Sequence, residues 1–89
     1  MINETLKLWI DIIGWIGSFE VIIAYFLISA HRIDANNIYY QILNGTGAAF
    51  LVINTIYYGA YPSTFINIVW LIIAGVAIIK MIFQRSSKS

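Results

Sequence analysis

Five polar or aromatic side chains stand out in a chain that is otherwise strongly apolar. They are one carboxylate, three amides and one indole: Glu20, Asn44, Asn54, Asn67 and Trp70. An amide both donates and accepts hydrogen bonds, and an indole offers a flat apolar face with one polar N–H. Amides beside an indole suit a small polar solute such as a sugar, which needs partners for its hydroxyls and a surface for its ring.

The asparagines predict two helix faces that such a solute could contact. Asn67 and Trp70 are three residues apart, which places them on the same face of a helix, one turn apart. Asn44 and Asn54 share a second face with Gly47. We therefore predict that Asn44, Asn54, Asn67 and Trp70 bind the solute. The same pattern allows an alternative, in which the amides only join helices through hydrogen bonds worth about 0.6 kcal/mol each.

Glu20 lies near the middle of an apolar run, the depth at which a carboxylate is costliest in a membrane. Insertion scales put a central acidic residue at about 2.5 to 3.5 kcal/mol. We expect Glu20 to be protonated, paired or exposed to water within an assembly. It is a candidate protonation site or subunit-interface group. The alternative is a structural role, with protonated Glu20 making one interhelical hydrogen bond.

Other chemistry finds no support in the sequence. No nucleophile–base pair is apparent, so we predict no catalytic residues and do not expect an enzyme. The chain has no Cys and a single His, which leaves almost no ligands for a metal, and we expect neither a metal nor another cofactor. A net charge of +1 gives no reason to expect a nucleic-acid partner.

The elements that must position these residues are three long apolar runs. The chain is 61% hydrophobic and 10% charged, whereas soluble domains carry about 25% charged residues. The runs cover residues 8–29, 38–58 and 64–83, and each is long enough to cross roughly 30 Å of hydrocarbon as a helix. We predict an all-α fold, a three-helix transmembrane bundle forming one domain over residues 1–89, with a disordered cytoplasmic tail at 84–89.

Glycines and a proline predict how the helices meet. Gly59 suits the left-handed end of the second helix, and Pro62 suits the first turn of the third. Since the connection is so short, these two helices must be adjacent and antiparallel. Small residues let helices approach closely in lipid, and we predict such packing positions at Gly14, Gly17, Ser18 and Gly47.

Positive charges predict the orientation in the membrane. Arg32, Arg85 and Lys88 fall on one side with Lys80 nearby, whereas Lys7 alone falls on the other side. Lys and Arg are enriched in cytoplasmic loops. We therefore expect a multi-pass protein of the bacterial inner membrane, with its N-terminus outside and its C-terminus in the cytoplasm.

A resemblance over nearly the whole chain rests on several short segments. They are Gly14-Trp-Ile-Gly-Ser18, Ala24-Tyr-Phe-Leu27, residues 54–63, and Asn67 with Trp70. In these segments the chain resembles a family of small, uncharacterised bacterial inner-membrane proteins with three helices, some labelled permease-like. The resemblance implies the three-helix fold and brings no established activity.

A more distant resemblance centres on the turn between the second and third helices. Tyr58-Gly59 ends one helix, Pro62 opens the next, and Asn67 follows five residues later. In this pattern the chain resembles the bacterial half-transporters of the SemiSWEET type in the PQ-loop superfamily. The resemblance implies a three-helix chain that forms homodimers around a central sugar pathway, with Asn67 contacting sugar hydroxyls.

The chain departs from the half-transporter pattern at two positions. Leu27-Ile28 occupies the place of the family's Pro-Gln pair, and Thr55, beside Asn54, occupies the place of its pocket Trp. This chain therefore lacks both features. A shared fold does not fix function, so we expect the fold to carry over more readily than the substrate.

Two predictions of function follow from these patterns. One three-helix bundle encloses too little space for a solute path, whereas two copies related by a twofold axis supply six helices. The leading prediction is a homodimeric half-transporter for a small polar solute in the lipid bilayer. The alternative is a non-transporting accessory or assembly subunit that docks on a larger membrane protein through its glycine stripe.

Overall fold

Three helices joined by two short connections make up the part of the chain that the computed structural model describes. Backbone is described for residues 2–88 and side chains for residues 3–84. Helix α1 covers Ile2–Ser29, α2 covers Ile38–Tyr57 and α3 covers Tyr61–Lys88, with no strand among the described residues. The prediction of an all-α three-helix bundle is confirmed.

Helices α1 and α3 extend beyond the predicted apolar runs. Each has 28 residues, so each is about 42 Å long and exceeds the hydrocarbon core of a bilayer at both ends. Residues 84–88, predicted as part of a disordered tail, continue α3, and Ser89 lies outside the described residues. The side chains of Arg85 and Lys88 also lie outside the described part. Apolar periodicity indicates only the part of a helix that lipid or protein covers. A prediction from it therefore omits the polar ends of α1 and α3.

Helix α2 is the central helix of the three. It packs along both α1 and α3, whereas no Cα atom of α1 lies within 8 Å of a Cα atom of α3 in the described range. Helices α1 and α3, over Asn3–Ser29 and Tyr61–Gln84, are long and apolar enough to cross a membrane. Helix α2 carries the buried amide of Gln41 and the half-buried amides of Asn44 and Asn54. Helix α2, which carries these amides, therefore lies between the two helices that are apolar enough to cross a membrane.

The two connections are fixed by local hydrogen bonds. Asn37 caps α2, since its side-chain oxygen accepts from the backbone N–H of Tyr39 at 2.9 Å. The Gln41 side chain donates to the Ala35 carbonyl at 2.8 Å and ties the first loop to α2. In the second connection, Gly59 has a φ of 70°, a left-handed conformation that glycine adopts without strain.

Small residues form the contacts between the helices. Ala24, Ala48 and Ala74 are almost completely buried. A Cβ atom added to Gly17 would lie 2.8 Å from the carbonyl oxygen of Gly47, so the backbones of α1 and α2 nearly touch there. Large apolar side chains remain on the outside along α1 and α3. This distribution is the reverse of a water-soluble domain, which buries its large apolar side chains.

Candidate functional site

A groove lies between α1 and α3, over one face of α2. It exists because α1 and α3 both pack on α2 and not on each other. Its volume is about 370 Å³, within the range of small-molecule sites, roughly 300–1,000 Å³. Eight residues from the three helices line it: Val21, Ile22, Tyr25, Tyr40, Asn44, Ala48, Asn67 and Trp70.

The structure brings together three of the four residues predicted to bind a solute. Asn44 comes from α2, and Asn67 and Trp70 come from α3. The Asn67 amide nitrogen donates to the Ser63 carbonyl at 2.9 Å, which leaves its side-chain oxygen free to accept. The Asn44 side chain forms no hydrogen bond with the described residues, so it offers both donors and an acceptor. Trp70 is 51% exposed and its ring is open to a ligand.

Two tyrosines that sequence reasoning did not assign to the site also line the groove. Tyr25 is on α1 and Tyr40 is on α2. Tyr40 lies one turn before Asn44, a spacing that could have predicted its position. No signal in the sequence could place Tyr25 opposite α3, because that depends on how the helices are arranged. The lining contains no charged residue, and it therefore favours a neutral ligand.

Asn54, the fourth predicted binding residue, lies outside the groove. Ten residues separate it from Asn44, which turns it about 80° around the helix axis, toward α1. Its amide nitrogen donates to the Ile10 carbonyl at 3.0 Å. Its side chain lies over Gly14, where a Cβ atom would come within 2.3 Å of that nitrogen. Asn54 joins α1 to α2, which is the alternative role considered for these amides.

A second, smaller pocket lies toward the start of α1 and the end of α2. It has a volume of about 270 Å³ and includes Asp11, Ser18, Asn54 and Tyr58 in its lining. The Tyr58 hydroxyl, in the turn after α2, donates to the Asp11 carboxylate. This hydrogen bond, helped by partial burial and by the negative charge of Asp11, raises the pKa of Tyr58 to about 12.

Three side chains of this second pocket donate hydrogen bonds to other groups of the protein. The Ser18 hydroxyl donates to the Gly14 carbonyl at 2.8 Å, and the amide of Asn54 and the hydroxyl of Tyr58 donate as described above. Lys7 Nζ lies 3.8 Å from a carboxylate oxygen of Asp11. Trp15 also lines the pocket, and its indole N–H makes no hydrogen bond with the described residues, so the pocket offers a ligand both a donor and acceptors.

Glu20 lies on neither pocket. Its carboxylate oxygen Oε2 is 2.7 Å from the Thr46 hydroxyl of α2. Thr46 follows Asn44 by two residues, about 200° around the helix axis, so the pair is on the opposite side of α2 from the groove. Within residues 3–84, no three or more His, Cys, Asp or Glu side chains are grouped so that they could hold a metal ion.

The comparisons with known proteins gave one finding. A family model matches residues 10–85, and the family is uncharacterised. No curated protein and no solved structure matches the chain. The matched range includes every residue that lines the groove, together with Glu20 and Thr46. The resemblance to half-transporters stays a prediction.

Proposed function

Because the chain belongs to the uncharacterised family whose model matches residues 10–85, we propose its function from geometry, as a homodimeric membrane half-transporter for a small, uncharged polar solute. The groove is the observation that carries this proposal. It gathers Asn44, Asn67 and Trp70 from two helices into one cavity, although most of the surrounding surface is apolar.

Membrane placement is supported by where the apolar side chains lie. Large residues such as Phe19, Phe26 and Ile72 are more than half exposed on α1 and α3, as suits helices that hydrocarbon surrounds. Helix α2 is shielded on two sides by these helices and can cross the membrane with its amides covered. We propose three spans in a bacterial inner membrane. We also propose that the first loop with Arg32 and the basic C-terminal end lie in the cytoplasm, because Lys and Arg are enriched in cytoplasmic loops.

The chemistry of the groove determines which solute fits. Asn67 offers an oxygen acceptor, and Asn44 offers two donor hydrogens and an acceptor. Trp70 and Tyr25 add aromatic faces on which a ring can lie. An ion in this lining would lack a counter-charge at low dielectric constant, which is unfavourable. A neutral solute with hydroxyl or amide groups satisfies the side chains and leaves no charge uncompensated.

The groove is incomplete in one chain. Trp70 and Tyr25 are 51% and 71% exposed, and the groove that they line is not enclosed within one chain. Polar groups that face hydrocarbon without partners cost several kcal/mol each. A second copy related by a twofold axis would close the opening with the same residues and form one path between two grooves.

An accessory subunit remains the alternative function. Its predicted docking surface was the glycine stripe of α1, but Gly14 and Gly17 are buried against α2. That surface is not available to a partner. A larger membrane protein would instead have to dock on another surface, such as the exposed apolar side chains of α1 and α3, and an experiment must distinguish this outcome.

Uptake by reconstituted vesicles tests the proposal. A panel of neutral polar solutes is offered to the wild-type chain and to Asn44→Ala, Asn67→Ala and the loop variant Asn36→Ala. We expect both groove variants to lose uptake and Asn36→Ala to retain it, with the same dimer mass in all four samples. Unchanged uptake in the groove variants contradicts the site. A monomer that co-purifies with a larger membrane protein supports the accessory role.

A further inference from the structure

Glu20 lies midway along α1, and its side chain is half-buried. It lies nine residues from Asp11 and nine from Ser29, about 14 Å along the helix from either. Its neighbours in sequence, Phe19 and Val21, are apolar. In a membrane-spanning α1, Glu20 is therefore near the centre of the hydrocarbon.

The two oxygens of this carboxyl group have different surroundings. Oε2 is 2.7 Å from the hydroxyl of Thr46. Oε1 is buried and has no hydrogen-bond partner among the described residues. The backbones of α1 and α2 are close together here, since a Cβ atom on Gly47 would lie 3.1 Å from that of Glu20.

Among residues 3–84, no positively charged side chain forms an ion pair with Glu20. Helix α2, which packs against it, carries no Asp, Glu, Lys, Arg or His; its titratable groups are Tyr39, Tyr40 and Tyr57, near its ends. No Cα atom of α3 lies within 8 Å of a Cα atom of α1 in the described range. The other titratable groups described on α1 are Glu4, Lys7 and Asp11 near its start and Tyr25 on the groove. Among residues 3–84 the one ion pair joins Lys7 to Asp11.

The hydrogen-bond geometry has a place for one additional proton. The Thr46 hydroxyl is 2.7 Å from Glu20 Oε2 and 2.9 Å from the Ile42 carbonyl, but it has only one hydrogen to donate. A Glu20 carboxylate would compete with the Ile42 carbonyl for the Thr46 hydrogen. A neutral acid instead donates its own hydrogen from Oε2 to the Thr46 oxygen, and Thr46 then donates to Ile42.

We propose that Glu20 is a membrane-embedded proton-binding site, with Thr46 accepting a hydrogen bond from the protonated acid. The inference rests on the membrane placement proposed above and does not require transport. Proton binding forms one O–H bond on Glu20, and the Thr46 hydroxyl then donates its hydrogen bond to the Ile42 carbonyl. Since Thr46 and Asn44 are both on α2, loading and releasing this proton changes the hydrogen bonding of the helix that lines the groove.

Dicyclohexylcarbodiimide tests the inference, because this apolar reagent enters membranes and reacts with protonated carboxyl groups. The full chain in lipid vesicles is treated at neutral pH, and the adduct is located by mass spectrometry. We expect a single adduct on Glu20 that decreases as the pH is raised. It should be lost in Glu20→Gln, whose amide can still donate to Thr46, and retained in Asp11→Asn.

Infrared spectroscopy detects the protonation state of Glu20 directly and does not depend on a reagent that must reach the site. Wild type should show a protonated-acid carbonyl band at neutral pH that Glu20→Gln lacks. The proton site would be wrong if wild type shows a carboxylate band that Glu20→Gln removes and no adduct forms on Glu20. The membrane placement would be unaffected by that result. Release of the chain from vesicles by an alkaline wash would instead contradict the membrane placement.

Discussion

Asn44 and Asn54 have the same side chain on the same helix, yet the structure gives them different surroundings. The Asn54 amide donates to the Ile10 carbonyl of α1, whereas Asn44 makes no hydrogen bond with the described residues and lines the groove. The difference arises from an angle of about 80° around the helix axis. One amide is part of the packing, and the other remains available to a ligand.

Alanine substitutions should separate these two roles. Asn54→Ala removes an interhelical hydrogen bond and leaves a gap over Gly14, so we expect it to lower the free energy of unfolding in detergent by about 1 kcal/mol. Asn44→Ala removes no such bond and should leave stability unchanged. The measurement is loss of helical circular dichroism during titration with a denaturing detergent. Equal effects from the two variants would contradict the assignment.

At the scale of the helices, close approach at glycine is what holds α1 against α2. Gly17 faces the backbone oxygen of Gly47, and backbone cannot move aside as a flexible side chain can. On α3, by contrast, a Cβ atom on Gly75 would meet nothing within 4 Å. The two positions therefore provide a matched pair for testing the packing.

Gly17→Ala should destabilise the chain, and Gly75→Ala should not. A Cβ atom only 2.8 Å from the Gly47 oxygen forces the helices apart, and overpacking of this kind costs about 1–3 kcal/mol. Alanine at Gly75 should raise stability by up to about 1 kcal/mol, because it favours helix more than glycine does. Unfolding in detergent measures both. A Gly17→Ala variant as stable as wild type would show that α1 and α2 meet elsewhere.

The sequence predicted the helices well and their arrangement less well. Apolar runs placed the three helices, and Gly59 and Pro62 placed the second turn, because these features act locally. Which helix is central depends on contacts between distant segments, and no spacing within one helix reveals it. Asn44, Asn67 and Trp70 lie together on the groove, whereas Asn54, which the pattern puts with them, faces α1. No spacing within one helix assigns Tyr25 to the groove.

At the scale of the whole molecule, the order of the helices links the fold to the proposed function. The amide-bearing α2 lies between α1 and α3, and because the backbones of α1 and α3 stay apart, an amide-lined groove is left between them. Closure by a second copy would turn two such grooves into a path across the membrane. We therefore expect this groove to contain water and solute, not lipid.

Cysteine accessibility tests that claim most directly, and the absence of Cys from the chain makes single substitutions unambiguous. Asn44→Cys places a thiol in the groove, and Ile72→Cys places one on the exposed outer surface of α3. Both variants are reacted in membranes with a charged, water-soluble thiol reagent. We expect fast modification at position 44, slowed by a transported solute, and little modification at position 72. Equal protection of both thiols from the reagent would contradict this expectation.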